Sequence, residues 1–197
     1  MTSVSIDKLD QLPLLILYAI NATENKSVNK IHLQKIMFQT MKVLKVDPKE
    51  VGYRPHRHGP FSDDINEEKN KLESIGYLEE KNDIVTIPDS VVSEASTIKP
   101  PSEEIGYKIK TMAEYLSTLE NNELLLMIYS DDLSNNNGEY LENSDIIDEI
   151  LGKRILIAIK MYRSKKISLE RASELAGMSI MDFENELIKR YGVAYVN

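Results

Sequence analysis

Ten consecutive residues, Tyr53-Arg54-Pro55-His56-Arg57-His58-Gly59-Pro60-Phe61-Ser62, gather two arginines, two prolines, two aromatics and two of the chain's three histidines. Three chemistries fit them. His56 and His58 stand two apart, so in extended backbone both imidazoles point the same way. With Asp63 or Asp64 behind them they make a ligand set for a divalent ion, and through it a metal-dependent hydrolase. Arg54 and Arg57 suit phosphate neutralisation, together with lysines placed earlier in the chain. In the third reading Gly59, Pro60, Phe61 and Ser62 form a structural elbow. They supply a turn, a core anchor and a helix N-cap, and the cations are left facing solvent or an interface. The third histidine, His32, belongs to a separate helical segment, and no residue beside the pair stands out as a general base or nucleophile. The chain is therefore expected not to be an enzyme and to hold neither a metal nor a cofactor.

The elements that must position these residues follow from periodicity. Leu9, Leu12, Ile16 and Ala19/Ile20 give residues 7–21 one apolar helical face. Leu33, Ile36, Met37, Met41 and Leu44 do the same for 31–44, with Lys35 and Lys42 expected on the wet side. Residues 27–29 read as a very short strand. Ser62, with Asp63 and Asp64 in the first turn, starts a third helix that Gly76 ends. Residues 77–80 and 84–87 pair as a hairpin through Lys81-Asn82-Asp83. Helix, short strand, helix, helix, hairpin is the order of a winged helix.

Farther on, the Pro-, Ser- and Thr-rich stretch 88–101 shows no period and reads as a linker or long surface excursion. Helices are expected over 102–119, 121–131 and 145–164, with a loop over 134–143. A terminal helix-turn-helix spans about 166–193, capped by Ser168 and Ser179 and turning at Gly177, with Phe183, Leu187 and Ile188 inward. Glu186 departs from that pattern, since an apolar residue is usual there.

Charge is unevenly spread over a net −8. Residues 1–60 carry nine Lys/Arg against five Asp/Glu, or +4, and 151–197 carry the same, nine against five. Between them 61–90 carry three against nine, or −6, and 91–150 three against thirteen, or −10. The third helix, where a winged helix usually meets DNA, holds Asp63, Asp64, Glu67, Glu68 and Glu73 against Lys69 and Lys71. Acid set against phosphate repels, so DNA contact is expected elsewhere: at Lys30, Lys35, Lys42, Arg54 and Arg57, and near the carboxy terminus at Lys165, Lys166 and Arg171. The absence of cysteine excludes disulfides and thiol chemistry. No apolar run reaches the roughly 18 residues that a membrane span needs. A cytoplasmic protein with no membrane partner is expected.

Two segments resemble known families. Leu33-Gln34-Lys35-Ile36-Met37-Phe38, the Tyr53–Ser62 decapeptide, and Leu72 followed by Ser74-Ile75-Gly76-Tyr77-Leu78 resemble the YwgA-like proteins, themselves similar to the SocA/Panacea antitoxin domains. Lys166-Ile167-Ser168-Leu169-Glu170-Arg171-Ala172-Ser173-Glu174-Leu175-Ala176-Gly177-Met178-Ser179, continuing to Tyr191-Gly192-Val193, resembles an uncharacterised family of small prokaryotic antitoxins paired with PIN-domain toxins. Both resemblances imply a non-enzymatic regulator that binds a toxin, DNA or both.

The expectation is thus a mainly α protein. It comprises a winged-helix domain (1–88), a linker (89–101) and a helical domain (102–197) ending in a helix-turn-helix. The function expected is antitoxin-like or transcription-regulatory, with a PIN-domain toxin or other protein and double-stranded DNA as partners, in a homodimer. The apolar stretch Ile155 to Tyr162 is either a dimer or partner surface or a core helix. A pure protein-interaction module and a hydrolase using His56 and His58 stay as the alternatives.

Overall fold

Pro13 lies in the first turn of α1 (Gln11–Ala22), where its missing N–H has no intrahelical partner to lose. The computed structural model describes residues 9–142 and 144–192. Asp7 and Lys8, expected at the start of this helix, and Asn143 and Val193, expected at segment ends, lie outside the described residues.

Asn29 closes β1 (Ser27–Asn29) and caps α2 (Lys30–Leu44), its side chain accepting the Ile31 N–H at 2.8 Å. A two-residue ribbon, β2 (Tyr53–Arg54) and β3 (Phe61–Ser62), leads into α3 (Asp63–Ser74). The hairpin β4 (Glu79–Lys81) and β5 (Ile84–Thr86) turns through Asn82 and Asp83, both at positive φ, as a two-residue hairpin requires. β5 pairs antiparallel with β1, Val28 opposite Val85, so the strand order is β1-β5-β4. Helix, short strand, helix, helix, hairpin is thus the order observed, as the sequence led one to expect, within a mainly helical chain.

The chain divides into two units: residues 9–55 with 60–119, and 56–59 with 120–192. The first unit extends well beyond residue 88. Residues 89–95 are not linker but a helix, α4 (Asp89–Ala95), whose Ala95 is buried and whose Glu94 accepts the Tyr77 hydroxyl at 2.6 Å. α5 (Glu103–Ser117) then buries Ile109, Ala113 and Leu116, and packs on α1 and α2. A Cβ at Gly106 would stand 2.4 Å from Pro100 and 2.8 Å from the Tyr18 hydroxyl, so only glycine admits this approach. A seven-residue helix followed by seven residues of irregular chain, 96–102, leaves too short a pattern for periodicity to register.

In the second unit, α6 (Asn121–Asn136) runs past the expected Asp131, so part of the predicted loop is helix. The single helix expected over 145–164 is broken into α7 (Ile147–Gly152) and α8 (Arg154–Arg163). Lys153, at φ −102 and ψ 4, forms the joint beside Gly152, the poorest helix former in the stretch. Ile157, Ala158, Ile159 and Met161 of α8 are buried, which makes this stretch chiefly core and leaves Leu156 exposed. α9 (Leu169–Ala176) and α10 (Ile180–Tyr191) complete the helix-turn-helix, with Ser168 and Ser179 capping them and Gly177 left-handed between. Phe183 and Leu187 are inward as expected, but Ile188 is 38% exposed. No helix is long and apolar enough to cross a membrane among the described residues.

Candidate functional site

Gln34 and Lys35 of α2 explain why the elbow has its shape. The Gln34 side-chain amide bonds Ser62 in both directions, donating to its carbonyl and accepting its N–H, each at 3.0 Å. Lys35 donates to the Pro60 carbonyl at 2.7 Å. Ser62 donates its hydroxyl to the Val51 carbonyl and accepts the Ile65 N–H at 3.1 Å, so one side chain closes the ribbon and caps α3. Tyr53 donates to the Gln34 carbonyl and sets its ring edge-on to Phe38. Pro60 and Ser62 are buried, whereas Phe61 is only half-buried, with Arg54 over its ring, and is not the anchor expected of it.

Lys35 is therefore no phosphate ligand. It is 2% exposed, and burial lowers its pKa to about 7. The i,i+7 spacing did place Lys35 and Lys42 on one face, but Pro60–Ser62 cover its Lys35 end. His32 is buried too, bonded through Nε2 to the Leu119 carbonyl at 2.8 Å, and burial lowers its pKa.

Residues 56–59 are fixed within the second unit. The Ser144 hydroxyl lies 3.0 Å from the Arg57 carbonyl and 2.9 Å from the Tyr129 hydroxyl. Gly59 is at φ +79, and a Cβ there would meet the Tyr129 ring at 2.7 Å, so glycine is required twice over. Asp63 is engaged by Arg54, and no group of three His, Asp or Glu side chains among the described residues is placed to hold a metal ion.

The other predicted phosphate contacts are largely spent on the protein's own groups. Lys30 pairs with Glu80 and Asp83 at 2.9 and 3.0 Å, and Lys69 also reaches Glu80, so the acidic hairpin is neutralised within its own unit. The bond to Glu80 raises the Lys30 pKa, while Lys69 and then Lys30 lower that of Glu80. Arg54 makes two bonds to Asp63, and Arg57 faces Asp145 at 3.3 Å. Lys42 lies 4.5 Å from the Phe38 ring centre. Lys166 pairs at 2.6 Å with Glu123, which is 1% exposed, and Arg171 binds Asp131 and Glu174. Lys165, at positive φ in the turn before α9, is the exposed exception.

α10 has the seat of a second helix in a helix-turn-helix, and its outer face is largely apolar. Phe183 contacts Tyr162 edge-on, and the Arg154 guanidinium donates to the Leu175 carbonyl at 2.8 Å, tying α8 to the end of α9. Glu186, the departure from the pattern, is half-buried and held by Arg190 at 2.5 Å. The outer face shows Ile180, Met181, Ile188 and Tyr191. Sequence reading missed this face because it assigned Ile188 to the core. The signal was there: Ile180, Met181, Phe183, Leu187, Ile188 and Tyr191 cover more of the helix circumference than one inward stripe can use.

Residues 141–197 match the model of Uncharacterised protein family (UPF0175). The match takes in α7 to α10 and so contains the helix-turn-helix. No curated protein and no solved structure matches the chain.

Proposed function

We propose that the chain is a non-enzymatic, antitoxin-like or transcription-regulatory protein whose main ligand is another protein. The observation that carries this reading is common to both units: α3 of the first and α10 of the second lack a free cationic face. α3 presents carboxylates, and α10 presents aliphatic side chains together with Asp182, Glu184 and Glu186 against Lys189 and Arg190. A phosphate-tracking helix needs the reverse. The likeness of the first unit to SocA/Panacea antitoxin domains, and of the second to antitoxins paired with PIN-domain toxins, supports a toxin of that class as the partner. Double-stranded DNA is the second reading, favoured by the exposed Lys165 at the mouth of the helix-turn-helix.

A fluorescence-anisotropy titration against the protein's own promoter DNA at two salt concentrations decides between them. The protein-binding reading expects no complex of the chain alone, even at low salt. A complex that weakens about 10³-fold or more between 50 and 200 mM salt would overturn it in favour of the DNA reading.

A further inference from the structure

Among the described residues, four of the eight exposed large hydrophobic side chains, Ile180 (43%), Met181 (68%), Ile188 (38%) and Tyr191 (37%), lie on α10. At about 100° per residue they fall, with Glu184, on one arc roughly 100° wide, beside the buried Phe183 and Leu187. With a rise of about 1.5 Å per residue the stripe is roughly 16 Å long. Glu184 stands near its middle, half-buried and with no hydrogen bond or ion pair among the described residues, while Glu186 on the far side is held by Arg190. Tyr191 at one end carries Arg163 over its ring at 4.0 Å.

The position of Glu184 limits what can cover the stripe. Antiparallel pairing of two copies centres near residue 185 and brings Glu184 against its own counterpart. Parallel pairing aligns the two directly. Either would bury two like charges at the centre of the stripe, while its one cation, Arg163, is stacked on Tyr191 at the far end, and that is costly in a desolvated contact. Lys189 lies more than a third of a turn away from the centre of the stripe and cannot answer them. An apolar face with an unanswered carboxylate at its centre complements a face of the same width that carries a cation.

We propose that the outer face of α10 docks an amphipathic helix of a different protein, with aliphatic residues flanking a central arginine or lysine that pairs with Glu184. This rests on the protein-binding reading and names the chemistry of the partner's contact.

Two labelled synthetic helical peptides with identical leucine faces, one with a central Arg and one with a central Glu, titrated into the full chain, test it. Wild type is expected to prefer the Arg peptide by about tenfold or more, a difference of about 1.4 kcal/mol. Glu184→Lys should invert that preference. Met181→Asp, at the most exposed position of the stripe, should abolish binding of the Arg peptide without changing the far-ultraviolet circular dichroism. Equal binding of both peptides, binding of neither, or binding indifferent to Met181→Asp overturns the proposal. A concentration-dependent dimer, seen by light scattering and dissolved by Met181→Asp, also overturns it by making a second copy the occupant. None of these outcomes bears on the protein-binding reading itself, which fails only through the DNA titration.

Discussion

In the first unit α3 begins at Ser62, whose backbone and hydroxyl are bonded by Gln34, Val51 and Ile65, with the neighbouring Pro60 carbonyl on Lys35. In the second unit α10 is seated by hydrocarbon, Phe183 and Leu187 both wholly buried, with Ser179 capping its start. The outward faces differ accordingly. α3 shows charge, much of it answered nearby: Asp63 by Arg54, Glu68 by Lys71, and the following hairpin by Lys30 and Lys69. α10 shows apolar surface and a carboxylate with no answer. One topology can thus be fixed by polar bonds or by apolar packing, and the surface left over is opposite in kind. A surface whose charges are already paired has little to offer a ligand, so α3 and α10 are not equivalent candidates for recognition.

The largest effect that sharpens this contrast is Phe183→Ala. Removing a ring that is wholly buried and in edge contact with Tyr162 should cost roughly 3–5 kcal/mol, through lost transfer energy and the cavity left behind. Hydrogen exchange of the α9 and α10 amides measures it. A loss under about 1 kcal/mol would mean that α10 is not seated by its core, and the contrast would fail.

Next comes Lys35→Met, which tests the polar seat. The folded pKa of Lys35, about 7, is depressed from 10.5 by burial. Below pH 7 both folded and unfolded states hold the proton, so Lys35 adds no pH dependence there. Between about 7 and 10.5 the unfolded chain binds a proton that the folded chain does not. Stability therefore rises with pH, by up to about 1.4 kcal/mol per pH unit. Methionine removes that slope. Denaturant titrations of both proteins across pH 6 to 10 should show a rise in wild type and a flatter line in the variant. Parallel lines would show that the Lys35 amine keeps its charge in the folded state.

How far the chain could be read in advance follows the same division. The order of elements was legible because several starts carry their own signal: Ser62 before two aspartates and Asn82-Asp83 between strand residues in the first unit, Gly177 before Ser179 in the second. Gln34 and Lys35 were visible as a motif, but their task was not, since it depends on carbonyls some 25 residues away in sequence. Counting cations overstated the phosphate-binding surface for a related reason. Sequence shows Lys30, Lys166 and Arg171, but only folding brings Glu80, Glu123 and Asp131 against them. The break at Lys153 and the reach of the first unit to α5 were likewise settled by packing, which overrides weak local preference.

The smallest expected effect bears most directly on recognition. Arg54 and Asp63 are both more than half exposed, so their pair is screened by water, and Arg54→Ala should change stability by less than about 1 kcal/mol. If Arg54 served as a phosphate contact, the same substitution would lower the slope of log affinity against log salt by about one unit in a DNA titration, whatever the stability did. The paired geometry predicts otherwise. Arg54 already satisfies Asp63 at the first turn of α3, and transferring it to a phosphate would leave that carboxylate facing the same phosphate. In a complex formed under the DNA reading, Arg54→Ala should therefore leave the salt slope unchanged, while Lys165→Ala, which removes an exposed cation from the second unit, should lower it. A reversed result, with Arg54 moving the slope and Lys165 not, would return nucleic-acid recognition to the elbow and undo the distinction between the two units.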